Sequence, residues 1–251
     1  MEQDMNSVKI VAVTQPMIVG VDGINLTPDQ FIAYCARVSN PSNQMNVLTA
    51  PQLLKYCAKH KHWSVFEMVN IVMEIETTRD IARQILRHRS FSFQEFSQRY
   101  ADPTKDLGFV TREARLQDHK NRQNSIEIDE DRMIDVCIGM NPNTFESIYE
   151  KRSLKDEWEK LQKGTARSAD YAYKWAVENG IAKEQARALL PEGLTISRMY
   201  VNGTMRSWIH YCSLRSGPET QKEHREIATD AWCKITEYFP SLKNCLDIGE
   251  N

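Results

Sequence analysis

The segment QILRHRSFSFQEFSQRY, residues 84–100, sets Arg87, His88, Arg89 and Arg99 among Phe91, Phe93 and Phe96, with Ser90, Ser92, Ser97 and Glu95 between them. Guanidinium groups present planar forks of donors that match phosphate or carboxylate oxygens two at a time. Glu95 adds an acceptor, so the set suits a ligand that carries both a phosphate and a polar heterocycle. The three phenylalanines are too apolar for a free surface. They can anchor a chain whose intervening Ser90, Ser92, Gln94 and Ser97 face that ligand.

A helix over residues 78–88 would put Arg79, Arg83 and Arg87 four apart on one row, with Asp80, Gln84 and His88 on the next and Ile81 and Ile85 on an apolar one. Like charges at that spacing repel by roughly the few tenths of a kcal/mol that opposite pairs gain. A facing anion would relieve the repulsion; the ordinary alternative is a solvated basic face. A second constellation lies in NGTMRSWIHYCSLRSGPETQKEHRE (residues 202–226). A helix from residue 204 places Arg206 and His210 on one row and Trp208, Cys212 and Arg215 on a neighbouring one. Trp208 and Cys212 read as core. Arg215 fits either a ligand or the negative end of the helix dipole, and Arg187, before LLP, stands alone.

Several elements must hold these residues. VKIVAVT (8–14) reads as a strand. Thr27, Pro28 and Gln30 announce a helix over 28–38, and Thr49 with Pro51 announces a second that ends near His60. VNIVMEIE (69–76) is strand-like and leads into the arginine helix. Residues 102–142 are polar and irregular, either a long excursion or a pair of edge strands. Helical spacing spans 144–180 and ends at Gly180, and a further helix leads into LLPEG. After the strand-like LTISRMYVN come helices over 204–216 and 218–238, the last signalled by Ser216, Pro218 and Glu219. Helix and strand alternate too irregularly for repeated βαβ units, which favours an α+β class in one domain over 1–251, with 102–142 as a variable excursion.

Composition narrows the partners. The chain has 251 residues, 26% of them charged, and a net charge of only −2, so an anion site must be local and a bulk polyanion is not expected. Cys35, Cys57, Cys137, Cys212, Cys233 and Cys245 are scattered, with no zinc-type spacing and no metal site expected. They read as buried free thiols in a reducing compartment. No signal-peptide pattern and no apolar run of membrane-spanning length is present, which points to a cytoplasmic protein, or to the host cytoplasm if the chain is viral.

RHRSFSFQEFSQRY (87–100) resembles the signature of the flavin-dependent thymidylate synthases, in which RHR is followed at fixed spacing by a serine and then an RY pair. HWSVFE (62–67), the RQ at 83–84, RSWIHYCSLR (206–215) and TQKEHREIA (220–228) extend the resemblance, which covers residues 55–105 and 185–230. It implies an α+β fold of antiparallel sheet packed with helices plus a helical lobe, in a homotetramer whose active sites are shared between subunits. Such enzymes bind FAD and methylate dUMP to dTMP, taking the carbon from 5,10-methylenetetrahydrofolate and reducing equivalents from NADPH, and they release tetrahydrofolate.

By the same resemblance, Gln84, Arg87, Glu95, Phe96, Ser97, Gln98, Arg99 and Arg187 would hold dUMP, with Arg215 on the uracil. Ser64, Glu67, Arg87, His88, Arg89 and Glu95 would hold FAD, joined by Thr204, the backbone of Gly203 or Met205, Arg206 and His210. His62 would sit where folate and NADPH reach the flavin. Polarisation of the pyrimidine by a guanidinium favours the electron-rich form that attacks an electrophilic methylene, and Arg215 is the candidate catalytic residue. No cysteine lies in the signature and Ser97 has no base beside it, so Ser97 is expected as a ligand contact rather than a nucleophile. Gln94, Val65, Met68, Thr204, His210 and Glu219 depart from the commonest family text. Two rival readings remain: a single-stranded nucleic-acid module with arginines on phosphates and phenylalanines on bases, and an idle relative that has lost flavin.

Overall fold

The computed structural model describes residues 6–128, 132–243 and Ile248; Cys245 and the acidic run at 129–131 lie outside them. The chain divides into two compact units, one of Asn6–Phe96 with the chain from Ser197 onward, the other of Ser97–Ile196. They are called here the sheet unit and the helix unit.

In the sheet unit, β1 (Ser7–Val13) pairs antiparallel with the strand Asn70–Thr78, Val8 opposite Ile75 and Ile10 opposite Met73. Between them come α1 (Pro28–Ala36) and α2 (Ala50–Lys59). The start of α1 is as expected: the Gln30 N–H donates to the Thr27 hydroxyl at 3.4 Å, and the Thr27 N–H donates to the Gln30 side chain at 2.9 Å. Thr49 stands at the head of α2 but does not cap it. Its hydroxyl accepts from Arg37 Nη2 at 2.7 Å instead, because Arg37 is buried and needs an acceptor.

The strand Asn70–Thr78, β2, buries Ile71, Met73 and Ile75 and turns Glu74 and Glu76 the other way, the period-two pattern of a sheet with one packed face. On the polar face Glu74 accepts from Tyr200 at 2.9 Å, and Glu76 pairs with Arg198. Helix α3 (Arg79–Ile85) follows and is shorter than the sequence suggests. Leu86 closes it, so Arg87 and His88 leave the helix and the expected row ends at Arg83. The cause lies downstream: Phe91 is buried against Trp208, ring centroids 4.6 Å apart, and the chain must unwind to deliver it. Strand β3 (Ser92–Glu95) then runs along the sheet edge.

The helix unit holds α4 (Pro103–Asp106), β4 (Arg115–Gln117), β5 (Ser125–Glu127), β6 (Met133–Met140), β7 (Ser147–Ser153), α5 (Leu154–Glu178) and α6 (Lys183–Ala186). The irregular segment thus resolves into two antiparallel ribbons, β4 with β5 and β6 with β7. The helix expected from 144 begins only at Leu154. SIYEKRS pairs with β6, and the Ser153 hydroxyl, accepting from Asp156 N–H, provides the cap that the earlier residues lack. Gly180 at φ 82° closes this end in a conformation that favours glycine. Tyr173, Ala176, Ala186 and Leu190 form a small core.

The chain returns to the sheet unit through β8 (Ile196–Thr204), α7 (Met205–Arg215) and α8 (Lys222–Tyr238). Strand order is β1-β2-β8-β3, and β3 and β8 are antiparallel, so the expected α+β class with antiparallel pairing is found. Helix α8 starts at Lys222, not at the Ser216/Pro218/Glu219 signal. Residues 216–221 are taken up in a turn, with Thr220 N–H bonded to the Gly217 carbonyl, and this leaves Gln221 to face α3. Phe66, Ile81, Ile85, Trp208, Ile227 and Trp232 pack with the inner face of β2 into one core. Cys57 and Cys212 are buried as expected, but Cys137 and Cys233 are exposed. Among the described residues no helix is long and apolar enough to cross a membrane.

Candidate active site

Helix α7 organises the candidate residues of the sheet unit. It begins with Thr204, whose hydroxyl accepts from Ser207 N–H at 3.2 Å. The Ser207 hydroxyl donates to the carbonyl of Ser90 at 3.1 Å, which ties the RHRS segment to the start of the helix. A Cβ on Gly203 would lie 2.2 Å from Phe91 Cδ1, so only glycine lets the phenylalanine seat there.

Two side-chain groups emerge along this helix. Near its start, Arg206 Nη1 pairs with Glu67 at 2.6 Å and its Nε donates to His210 Nε2 at 3.4 Å. The hydrogen bond from Arg206 holds Glu67 below the usual carboxylate range, with Thr204 adding to the effect. Burial lowers His210, as does Arg206, against the pull of Glu67. Trp63 meets His210 edge-on with ring centroids 5.0 Å apart. Glu67 and Ser64 both come from the 3-10 turn Trp63–Met68.

At the other end, Arg215 Nε donates to His88 Nε2 at 2.9 Å. Burial, then Arg215 and Arg87, pull His88 down to about 4, so the ring is neutral at physiological pH. Arg87 and Arg89 are exposed and make no ion pair with a described residue. Gln84 is half-buried on α3, and its Nε2 donates to Gln221 Oε1 at 2.9 Å. Glu95 is already engaged: Oε1 accepts from Ser197 Oγ at 2.9 Å and from the buried Arg79 at 3.4 Å. Phe96 is half-buried, its N–H bonded to the Arg198 carbonyl at 2.8 Å.

The expectation for Met205 concerns its backbone. The residue is wholly buried and its N–H donates to the Val69 carbonyl at 2.8 Å, because the helix start needs that acceptor where β2 begins. His62 is exposed, 5.9 Å from Tyr56 between ring centroids.

The helix-unit residues form a group of their own. Ser97 Oγ accepts from Arg99 N–H at 3.4 Å and has no carboxylate or imidazole bonded to it among the described residues. Arg99 Nε lies 3.4 Å from the Glu184 carboxylate, and Arg187 Nε donates to the Glu184 carbonyl at 3.2 Å. Two expected phosphate-binding arginines therefore meet at one residue. Gln98 is buried. A groove of about 1170 Å³ runs along α5 and Ala188–Pro191 but contains none of the expected residues. No group of side chains suited to a metal occurs among the described residues.

Sequence reasoning missed Gln221, His224, Tyr211 and Glu184. For the first two a signal existed, since Gln221 and His224 sit three apart at a helix start in TQKEHRE and so share a face.

The chain matches the family model described as "Thymidylate synthase complementing protein" over residues 24–241. It is 44% identical over 241 residues to a probable flavin-dependent thymidylate synthase of Paramecium bursaria Chlorella virus 1, covering 96% of this chain and 99% of the relative. A flavin-dependent thymidylate synthase of Synechocystis sp. is also 44% identical, over 240 residues, with 96% and 99% covered. A crystal structure of a UMP/dUMP methylase from Streptomyces cacaoi bound with 5-Br UMP superposes with a TM-score of 0.63 at 20% identity, over 97% of this chain and 96% of that one, and shows a shared fold.

Proposed function

Because the chain belongs to the thymidylate synthase complementing protein family, we propose that it methylates dUMP to dTMP with 5,10-methylenetetrahydrofolate as carbon donor and NADPH-reduced FAD as hydride source. The folate product is tetrahydrofolate. The activity is that of a flavin-dependent thymidylate synthase, which both near-full-length relatives are named for.

The observation that carries this reading beyond likeness is the bond from Arg215 on α7 to His88 of the RHR segment. It fixes a guanidinium beside a neutral imidazole, while Arg87 and Arg89 remain exposed without an ion pair to a described residue. That donor set fits FAD: two open guanidinium groups suit a diphosphate, and Ser64, Glu67, His88, Thr204, Arg206 and His210 offer fixed donors and acceptors. When bound, the flavin supplies the hydride. Arg215 polarises the pyrimidine so that carbon 5 attacks the methylene carbon, the electron pair of that carbon's bond to nitrogen passing to the folate nitrogen. Gln84, Arg87, Ser97, Arg99 and Arg187 bind dUMP, Arg99 and Arg187 on its phosphate. Ser97 lacks a base and serves as a contact. Cys212, one turn before Arg215, is no nucleophile, since burial pushes its thiol far up.

A homotetramer with shared active sites, in the cytoplasm, completes the proposal. Trp158, Leu161, Tyr171 and Trp175 are exposed along α5, and large apolar residues on one helix favour its burial in an assembly. The family match runs through both units, which supports a single functional domain. The test is product analysis with dUMP, methylenetetrahydrofolate, FAD and NADPH. Equal amounts of dTMP and tetrahydrofolate are expected; dihydrofolate in place of tetrahydrofolate, or no dTMP, would overturn the assignment.

A further inference from the structure

The sheet unit contains a polar chain, buried at Tyr211 and His224, of which the reaction scheme uses only Gln84. His224, on the inner face of α8, is fully buried. Its Nε2 lies 3.1 Å from the Tyr211 hydroxyl, and its Nδ1 lies 3.3 Å from Gln84 Oε1. Tyr211 is buried as well. Gln84 Nε2 donates in turn to Gln221 Oε1 at 2.9 Å, so the run Tyr211–His224–Gln84–Gln221 links α7, α8 and α3.

The donors and acceptors set one direction. With its amide nitrogen turned to Gln221, Gln84 presents only its oxygen to His224, and the imidazole must carry its proton on Nδ1. Nε2 is then an acceptor, and the Tyr211 hydroxyl donates to it. A charged ring would add a buried cation near Arg215; burial, then Arg215 and His88, hold His224 down to about 3. The charged and titratable groups around the ring are His88, at 6.3 Å between centroids, and Arg215 and Tyr211 on α7.

We propose that His224 is a positioning residue for dUMP: through its Nδ1–H bond to Gln84 Oε1 it fixes which way the Gln84 amide faces, and so keeps the second amide N–H of Gln84 available to the nucleotide. This rests on the reading of Gln84 as a dUMP contact. An amide without such a partner exchanges its oxygen and nitrogen ends by rotation about one bond, and a ligand that needs one end meets it only part of the time. Affinity falls by that fraction.

The test uses the FAD-loaded full chain and compares wild type with the double substitution Tyr211→Phe/His224→Leu and the single substitution His224→Gln. The double variant removes both buried polar partners together, so neither is left unsatisfied and the core stays apolar. Thermal melting and flavin content confirm that it is folded and loaded. Expected is a Kd for dUMP, by calorimetry, raised between about threefold and tenfold, the range of one neutral hydrogen bond, with KM raised alike and kcat within about twofold. His224→Gln, which keeps a donor, should recover most of the loss. Unchanged dUMP affinity in a folded, flavin-loaded double variant would overturn the positioning role. Should that variant fail to fold, an unchanged Kd in His224→Ala would do the same, since the lost Nδ1–H is common to both. Failure of wild type to bind dUMP at all would instead count against the proposed function, so the two failures are distinct.

Discussion

Arg215 donates its Nε–H to His88 Nε2 across 2.9 Å, joining residues 127 positions apart in the chain. Each constrains the other. The imidazole must offer a lone pair, so it stays neutral with its proton on Nδ1, and the guanidinium plane is pinned at Nε while its two terminal nitrogens keep their donors. A flexible arginine at a helix end would have to be ordered by the substrate; this one is ordered beforehand.

Replacing Arg215 by lysine separates charge from geometry. Lysine keeps the cation and loses the planar fork. Turnover should fall by about 100-fold, the scale of one lost donor to developing charge, while FAD binding stays within a few-fold. Single-turnover absorbance and equilibrium flavin titration measure the two. Equal losses in both would place Arg215 on the flavin instead.

Half-buried His88 and buried His224 predict how stability depends on pH. His88 and His224 have folded values of about 4 and about 3, below the ordinary 6.5. Between those limits the unfolded chain binds more protons than the folded one, so stability is full above about pH 6.5 and is lost as pH falls toward 4. The unfolding free energy from urea titrations should drop steadily from pH 7 to pH 5, by an amount on the order of a few kcal/mol in all. His224→Leu combined with Tyr211→Phe should flatten part of that slope, and an unchanged slope would show that His224 takes up its proton as readily folded as unfolded.

Gly203→Ala tests the seating of Phe91. The new methyl would meet the ring at 2.2 and 2.4 Å, and the ring is held by Trp208 behind it. Overpacking of this kind costs about 1–3 kcal/mol, which lowers the melting temperature by several degrees in a chain of this size. Flavin affinity should fall with it, because Phe91 anchors the strand that follows His88 and Arg89. A melting temperature within a degree of wild type would mean that Phe91 is free to move aside.

In the helix unit, Glu184 occupies Arg99 at 3.4 Å, both partners being more than half exposed or close to it (60% and 50%). Exposed pairs contribute little to stability. Glu184→Gln should therefore leave the melting temperature unchanged and tighten dUMP binding by about two- to fivefold, since a phosphate no longer competes with a carboxylate for Arg99. Weaker binding in the variant would show that Glu184 helps to orient the arginine.

Much of the fold was legible. Period-two apolar spacing marked β2, and the Thr27/Pro28/Gln30 box marked the first turn of α1, because both signals are local and chemically redundant. The failures share a cause: a partner distant in sequence overrode the local signal. Arg37 took the Thr49 hydroxyl from α2, Phe91 pulled Arg87 and His88 out of α3, and β6 turned residues 147–153 from helix into strand. The site divides along the same line. The arginines and the RHR run stood out by type and spacing, whereas the burial of Met205 and the His224 network depend on packing between α3, α7 and α8.

The most direct test of the central claim is the visible absorption spectrum of the purified protein after incubation with FAD, recorded anaerobically with NADPH before and after dUMP is added. Expected is a bound flavin band that bleaches with NADPH and whose bleaching changes when dUMP binds. A protein that takes up no flavin, or a flavin whose reduction is indifferent to dUMP, would contradict the claim.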